Sequence, residues 1–164
     1  LKADSVELYT DVAGIMTADP RVVEACRMIE ALDYETVYTL AEQGAKVIHP
    51  RAVSFAQKGG IKVKVLSTVL GYGSAGTIIS TAADDKVRGI AAVISKAAGE
   101  KESAVSVIGM NPAAMVKLPE KMRRILSDEG IAVKDITIQN RVATAVVDAA
   151  DEQRAVGYLH IKLI

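Results

Sequence analysis

Thr10 and Asp11 close an alternating run, SVELYT (5–10), and an Asp-Pro-Arg triplet follows at 19–21. Where a strand gives way to a glycine-containing loop, backbone N–H groups are left unpaired, and such groups bind anions. Arg21 offers a planar fork that matches a phosphate, and Pro20 fixes the backbone between it and Asp19. Asp, Gly and Pro also make ordinary turns, so this stretch alone reads either way. A second group, GAKVIHPRA (44–52), puts Lys46 on a short link between a helix end and the next helix start, where it can swing toward a polyphosphate. His49 and Arg51 flank that start. The simpler reading makes His49 a structural histidine bonded to backbone and Arg51 a solvated helix residue. No second His or Cys stands at ligand spacing, so no metal site is expected.

The elements that must carry these residues follow from periodicity. SVELYT alternates and is rich in strand formers, so a strand ends at Thr10 and a loop covers 11–21. Helical spacing sets in at Asp33, a plausible N-cap, and Gly44 stops it. A second helix runs from Pro50 to about Lys58, ended by Gly59 and Gly60. IKVKVLST (61–68) and TIIST (77–81) are strands, joined through the turn-rich GYGSAG (71–76). TAADDK (81–86) is a polar hinge, and a boundary after residue 81 divides the chain into 1–81 and 82–164.

Beyond the hinge come strands at 87–95 and 103–110, and a helix within 113–129 closed by Gly130. Strands at 131–139 and 142–149 follow, joined by Asn140–Arg141, then a helix over 151–163. Met115, Leu118, Met122, Ile125 and Leu126 recur at three and four and read as core. The order is most of a ferredoxin-like βαββαβ unit, with its last strand missing or reduced to the closing IKLI. A unit that lacks its last strand has a bare sheet edge, so a homodimer through this half is expected.

Composition narrows the function. The chain has 164 residues, half of them hydrophobic, with 20 basic and 20 acidic side chains. A zero balance argues against a nucleic-acid partner, which needs a basic face. No apolar run reaches membrane-spanning length and no signal peptide opens the chain, so no membrane partner is expected and the location reads as cytoplasmic. The single cysteine, Cys26, fits a reducing compartment and reads as a small hydrophobe rather than a catalytic thiol. Because the chain opens abruptly at Leu1, it is expected to be a piece of something longer.

VELYTDVAGIMTADPRVV, then GAKVIHPRAV, then a strand ending LST and GTIIS together resemble the C-terminal part of an aspartate kinase catalytic domain. The resemblance is strong over 1–81 and weaker beyond. It implies an α/β fold: part of an amino-acid kinase domain (three-layer αβα) followed by a ferredoxin-like ACT module. It also implies a nucleotide site at Thr10, Asp11, Met16, Arg21 and Lys46, with methionine standing where the family often has an aromatic residue. The family's Lys-Phe-Gly-Gly segment and its Gly-rich, aspartate-binding stretch are absent, so no catalytic residue is assigned. MgATP then belongs to a longer enzyme that phosphorylates the side-chain carboxylate of L-aspartate; this chain alone should be inactive, with no cofactor tightly bound. SAVSVIGM–NPAAMVKLPEKM and TIQNRVATAVVDAADEQRAV resemble an ACT module, which implies an effector pocket at Met110, Asn111, Pro112, Ala113, Gln139 and Asn140 for a small amino acid, lysine or threonine. Asn140–Arg141 reads equally as a plain hairpin turn. Two alternatives remain: a stand-alone ACT-type sensor with a vestigial kinase half, and a relative acting on glutamate or carbamate, against which GAKVIHPRA speaks.

Overall fold

The computed structural model describes residues 3–164 apart from 46, 71, 72, 74 and 82–88, and leaves the side chain of 112 undescribed. The expected hinge thus lies, but for Thr81, outside the described residues, as does half of the turn-rich 71–76 link. Two compact units emerge. The first comprises Leu1–Met16 and Arg27–Val87, the second Thr17–Cys26 and Arg88–Ile164. Residues 17–26, expected with the N-terminal segment, pack with the C-terminal one instead. Ala18 and Val23 explain why: both are buried in the second unit's apolar core.

In the first unit the strands are β1 (Ser5–Thr10), β2 (Ala31–Asp33), β3 (Lys62–Ser67) and β4 (Thr77–Ser80), and the helices α1 (Tyr34–Glu42) and α2 (Pro50–Gly59). The sheet order is β1-β3-β4-β2. β1 runs parallel to β3 and β2 parallel to β4, whereas β3 and β4 are antiparallel. The helices start where expected. Asp33 caps α1 by accepting from Thr36 N–H at 2.6 Å. His49 caps α2, its Nδ1 accepting from Arg51 N–H at 3.2 Å, with Pro50 in the first turn. Leu32, Val37, Leu40, Val53, Val65 and Ile79 form the core, each at most 2% exposed. Tyr34 is buried with them, its hydroxyl donating to Ile61 O at 2.8 Å, and burial raises its pKa. β2 was not legible: three residues are too few for a period, and pairing with β4 alone makes them a strand.

The second unit holds β5 (Ile90–Ala97), β6 (Glu102–Gly109), α3 (Leu118–Asp128), β7 (Asp135–Gln139), β8 (Val142–Asp148) and α4 (Glu152–Leu163). Its sheet is antiparallel throughout, in the order β5-β6-β8-β7. Two expectations need correction. First, the helix within 113–129 is split: a 3-10 turn covers Pro112–Met115, Lys117 takes a left-handed φ of 62°, and α3 begins only at Leu118. Pro119 is the cause, because its ring would clash with the carbonyl four residues back and it donates no N–H. Second, IKLI is no strand, since α4 runs through Leu163. β5 lies against β6 where a last strand belongs, so the expected bare edge beside β6 is covered and the sheet ends instead at β5 and β7. Met115, Leu118, Met122 and Leu126 form the core with Val105, Val107 and the inward residues of β8, and Ile125 packs at its margin. Glu152 ties α4 to the sheet, accepting from Ser95 at 2.7 Å and from Ser103.

Candidate functional site

β1 and β3 are parallel with Thr10 opposite Ser67, so their carboxyl ends emerge together. In open α/β sheets that is the end at which ligands collect. Thr68 closes this end on Thr10, donating its N–H and its Oγ1 to Thr10 O at 2.8 and 3.0 Å. Thr10 in turn donates its hydroxyl to Asp11 Oδ1 at 3.1 Å, which holds an exposed carboxylate beside the strand end. Ser67 is buried, and its Oγ accepts from the N–H groups of Val69 and Leu70.

The chain leaving Asp11 is anchored by a residue whose role the sequence did not disclose. Buried Thr77 accepts from Ile15 N–H at 2.8 Å and donates to Ile29 O at 2.6 Å. Gly14 makes this possible, because a Cβ there would stand 2.7 Å from Thr77 Oγ1. Ile29 N–H donates to Ile15 O, and the half-buried Met16 bridges Met28. Thr10, Asp11 and Met16 therefore share one braced stretch of the first unit.

Arg21 does not belong to that stretch. It sits in the second unit, its side chain 83% exposed and doubly bonded to Asp19: Nη2 lies 2.6 Å from Oδ2 and Nε 3.0 Å from Oδ1. An exposed pair of this kind adds little stability. Lys46 lies outside the described residues. Beside it in sequence, an open hollow of about 470 Å³ is lined by Ala41, Ala45, Val47, Ile48 and His49. His49 spends Nδ1 on the helix cap, the structural role. Burial, and then the charge of Asp19, push the Cys26 thiol up, which suits a small apolar residue and not a nucleophile. Among the described residues no group of three His, Cys, Asp or Glu side chains could hold a metal.

The effector candidates are brought to one end of the second sheet. Gly109 N–H donates to Arg141 O at 2.8 Å, and Arg141 Nη1 donates to Met110 O at 2.8 Å. The strand end at Met110 thus faces the turn Gln139–Asn140–Arg141. Asn140 has a φ of 54°, which asparagine tolerates. Asn111 caps the 3-10 turn, Oδ1 accepting from Ala114 N–H at 3.0 Å, so that donor is already used. Ala113 is exposed and Met110 buried. A Cβ at Gly109 would stand 2.6 Å from Met115 Sδ, which explains the glycine. Arg141 was read from the sequence only as a turn residue; its guanidinium places a cation at this end.

Comparison with known proteins adds the following. Residues 1–67 match the amino acid kinase family. The chain is 42% identical over 95 residues to Aspartokinase 2 of Bacillus subtilis, 56% of this chain and 23% of that protein. It is 34% identical over 144 residues to the aspartokinase of Geobacillus stearothermophilus, 85% of this chain and 33% of that protein. These matches span a third or less of the relatives' lengths. Among solved structures, aspartate kinase from Clostridium acetobutylicum superposes with a TM-score of 0.84 over 98% of this chain and 55% of that one, at 17% identity, which speaks for the fold. Aspartokinase III of E. coli, solved with aspartate and ADP, gives a TM-score of 0.54 at 26% identity over 90% of this chain and 32% of that one.

Proposed function

This chain is a member of the aspartate kinase family, and we infer that its first unit supplies part of a MgATP site and its second an amino-acid effector site. The observation that carries the reading is the joint carboxyl end of β1 and β3, where Thr10 and Asp11 are fixed by Thr68. Asp11 is positioned to orient the magnesium-bound phosphates, and Met16 to pack on the nucleotide. Arg21 and Lys46 are the cations that neutralise the charge spreading over the phosphates. Phosphoryl transfer depends on such positioning and neutralisation from several sides. The acceptor is L-aspartate, whose side-chain carboxylate oxygen attacks the terminal phosphorus while ADP leaves. The Lys-Phe-Gly-Gly segment and the Gly-rich, aspartate-binding stretch do not occur in these 164 residues, so this chain alone should be inactive.

The second unit is an ACT-type sensor for lysine or threonine. Met110, Asn111, Pro112 and Ala113 form one wall of its pocket, Gln139 and Asn140 the other. It pairs with a second copy, and the enzyme works in the cytoplasm. A coupled assay of ADP release tests the reading. The longer protein that contains this sequence should turn over with aspartate and not with glutamate, while these 164 residues stay at background. Aspartate-dependent turnover by this chain alone contradicts the division of labour. Calorimetric binding of lysine or threonine without turnover in any longer product would favour a stand-alone sensor.

A further inference from the structure

The charged side chains of the second sheet are sorted along its strands. Glu102 on β6 stands opposite Asp148 on β8, and Asp135 on β7 pairs with Val146 near the same end. Lys134 binds two of these carboxylates, its Nζ lying 3.1 Å from Glu102 Oε1 and 2.5 Å from Asp148 Oδ1. At the other end Ile108 faces Val142 and Val142 faces Gln139, none of them charged. From Glu102 to Ile108 is roughly 20 Å along an extended strand. Charges that far apart are screened in physiological salt, whose Debye length is about 8 Å.

The uncharged end is the one that carries the effector candidates. It is built by residues 109–117, by the turn 138–142, and by Gly89, whose carbonyl accepts from Met110 N–H at 2.9 Å. The two segments read GMNPAAMVK and IQNRV. They hold two cations, Lys117 and Arg141, and no Asp or Glu. Lys117 is exposed, whereas Arg141 is half-buried and fixed by donating Nη1 to Met110 O at 2.8 Å. The first acid after Lys117 is the exposed Glu120, which lines a hollow with Arg123, Arg124 and Asp128 that no effector candidate lines.

We propose that Arg141 makes this site selective by charge, so that it takes an amino acid whose side chain carries no positive charge and turns away lysine. The selectivity rests on the reading of this loop and turn as an effector site. Of the two effectors that reading names, it picks threonine. The guanidinium meets the ligand's carboxylate in a charge-assisted bond. The exposed amides of Gln139 and Asn140 offer acceptors to its α-ammonium. A hydroxyl or alkyl side chain adds no charge to this arrangement. A second ammonium does: it approaches Arg141 with no carboxylate of these segments to offset it, and like charges at close range repel. Glu102, Asp135 and Asp148 stand toward the far end of the sheet, beyond the range at which they could compensate.

The test is calorimetry of the 164-residue chain with threonine, lysine and norleucine, which has lysine's carbon chain without the side-chain ammonium. Threonine and norleucine should each bind at least about tenfold more tightly than lysine, and the gap should narrow as salt is raised. Arg141→Met, which keeps an unbranched stem without the charge, should weaken threonine and bring lysine to within about threefold of norleucine. Arg141→Lys should keep the gap, because it keeps the charge. Lysine binding to wild type as tightly as threonine and norleucine overturns the charge selection and leaves the effector reading standing. A gap between lysine and norleucine that survives Arg141→Met overturns it as well. No heat with any of the three removes the effector reading, and the selection with it. Should Arg141→Met fail to fold, the wild-type comparison of lysine with norleucine and its salt dependence still decide the matter.

Discussion

Gly109 donates its N–H to the carbonyl of Arg141, and Arg141 returns its guanidinium to the carbonyl of Met110, each at 2.8 Å. A strand end and a hairpin turn, some thirty residues apart in the chain, are thereby latched to each other. The latch puts a cation beside the only loop and turn that the effector reading requires.

From this latch we expect Arg141→Ala to weaken binding of the effector's carboxylate about ten- to hundredfold, the worth of a hydrogen bond to a charged group. Calorimetry with lysine, threonine and methionine reads it. An amino acid that binds wild type and variant equally would show that Arg141 serves the fold alone. No heat with any of the three removes the effector reading.

Thr77 should matter more to stability than its type suggests. Thr77→Val leaves Ile15 N–H and Ile29 O without their buried partner, at a cost of about 1–3 kcal/mol for each group left unsatisfied. Thr77→Ser keeps the hydroxyl and should lie near wild type. Urea unfolding of the first unit separates the two, and equal stability of both variants would contradict the bracing role.

In the second unit, Met122→Ala removes a side chain that is fully buried, and should cost about 2–5 kcal/mol. Val116→Ala, at a residue 68% exposed, should change stability by less than about 0.5 kcal/mol. Denaturant midpoints check the pair.

Cys26 gives a pH prediction with a definite sign. Its thiol titrates above its ordinary value of 9.0, because burial and then Asp19 disfavour the thiolate. Alkylation by iodoacetamide should therefore still be accelerating as pH rises through that value, and Asp19→Asn should speed it at fixed pH. A rate that levels off near neutrality would mean that the thiol is activated.

Much of this was legible before the structure. Strands β1 and β3 follow from alternation, β4 was read as a short strand, and Asp33, Pro50 and Gly60 mark helix ends by local chemistry alone. The stripe from Met115 to Leu126 announced a core, although Pro119 breaks its helix at a point that periodicity ignores. What escaped was non-local. β2 exists only through β4, and β5 fills the place of a last strand that the order of elements led one to expect at the C-terminus. Residues 17–26 are the sharpest case. Nothing in TADPRVVEAC says that Ala18 and Val23 bury against residues past 90, because burial in a distant core leaves no periodic trace in ten residues. The hydrogen bond between Thr17 and His160 was invisible for the same reason: a threonine and a histidine separated by 143 positions carry no spacing signal.

The measurement closest to the heart of the account is MgATP affinity in a double-mutant cycle of Arg21→Ala and Lys46→Ala. Two cations serving one triphosphate should each weaken binding about ten- to hundredfold when removed, and together lose less or more than the sum of their separate effects. Saturable MgATP binding that neither substitution disturbs would contradict the nucleotide site proposed for this chain.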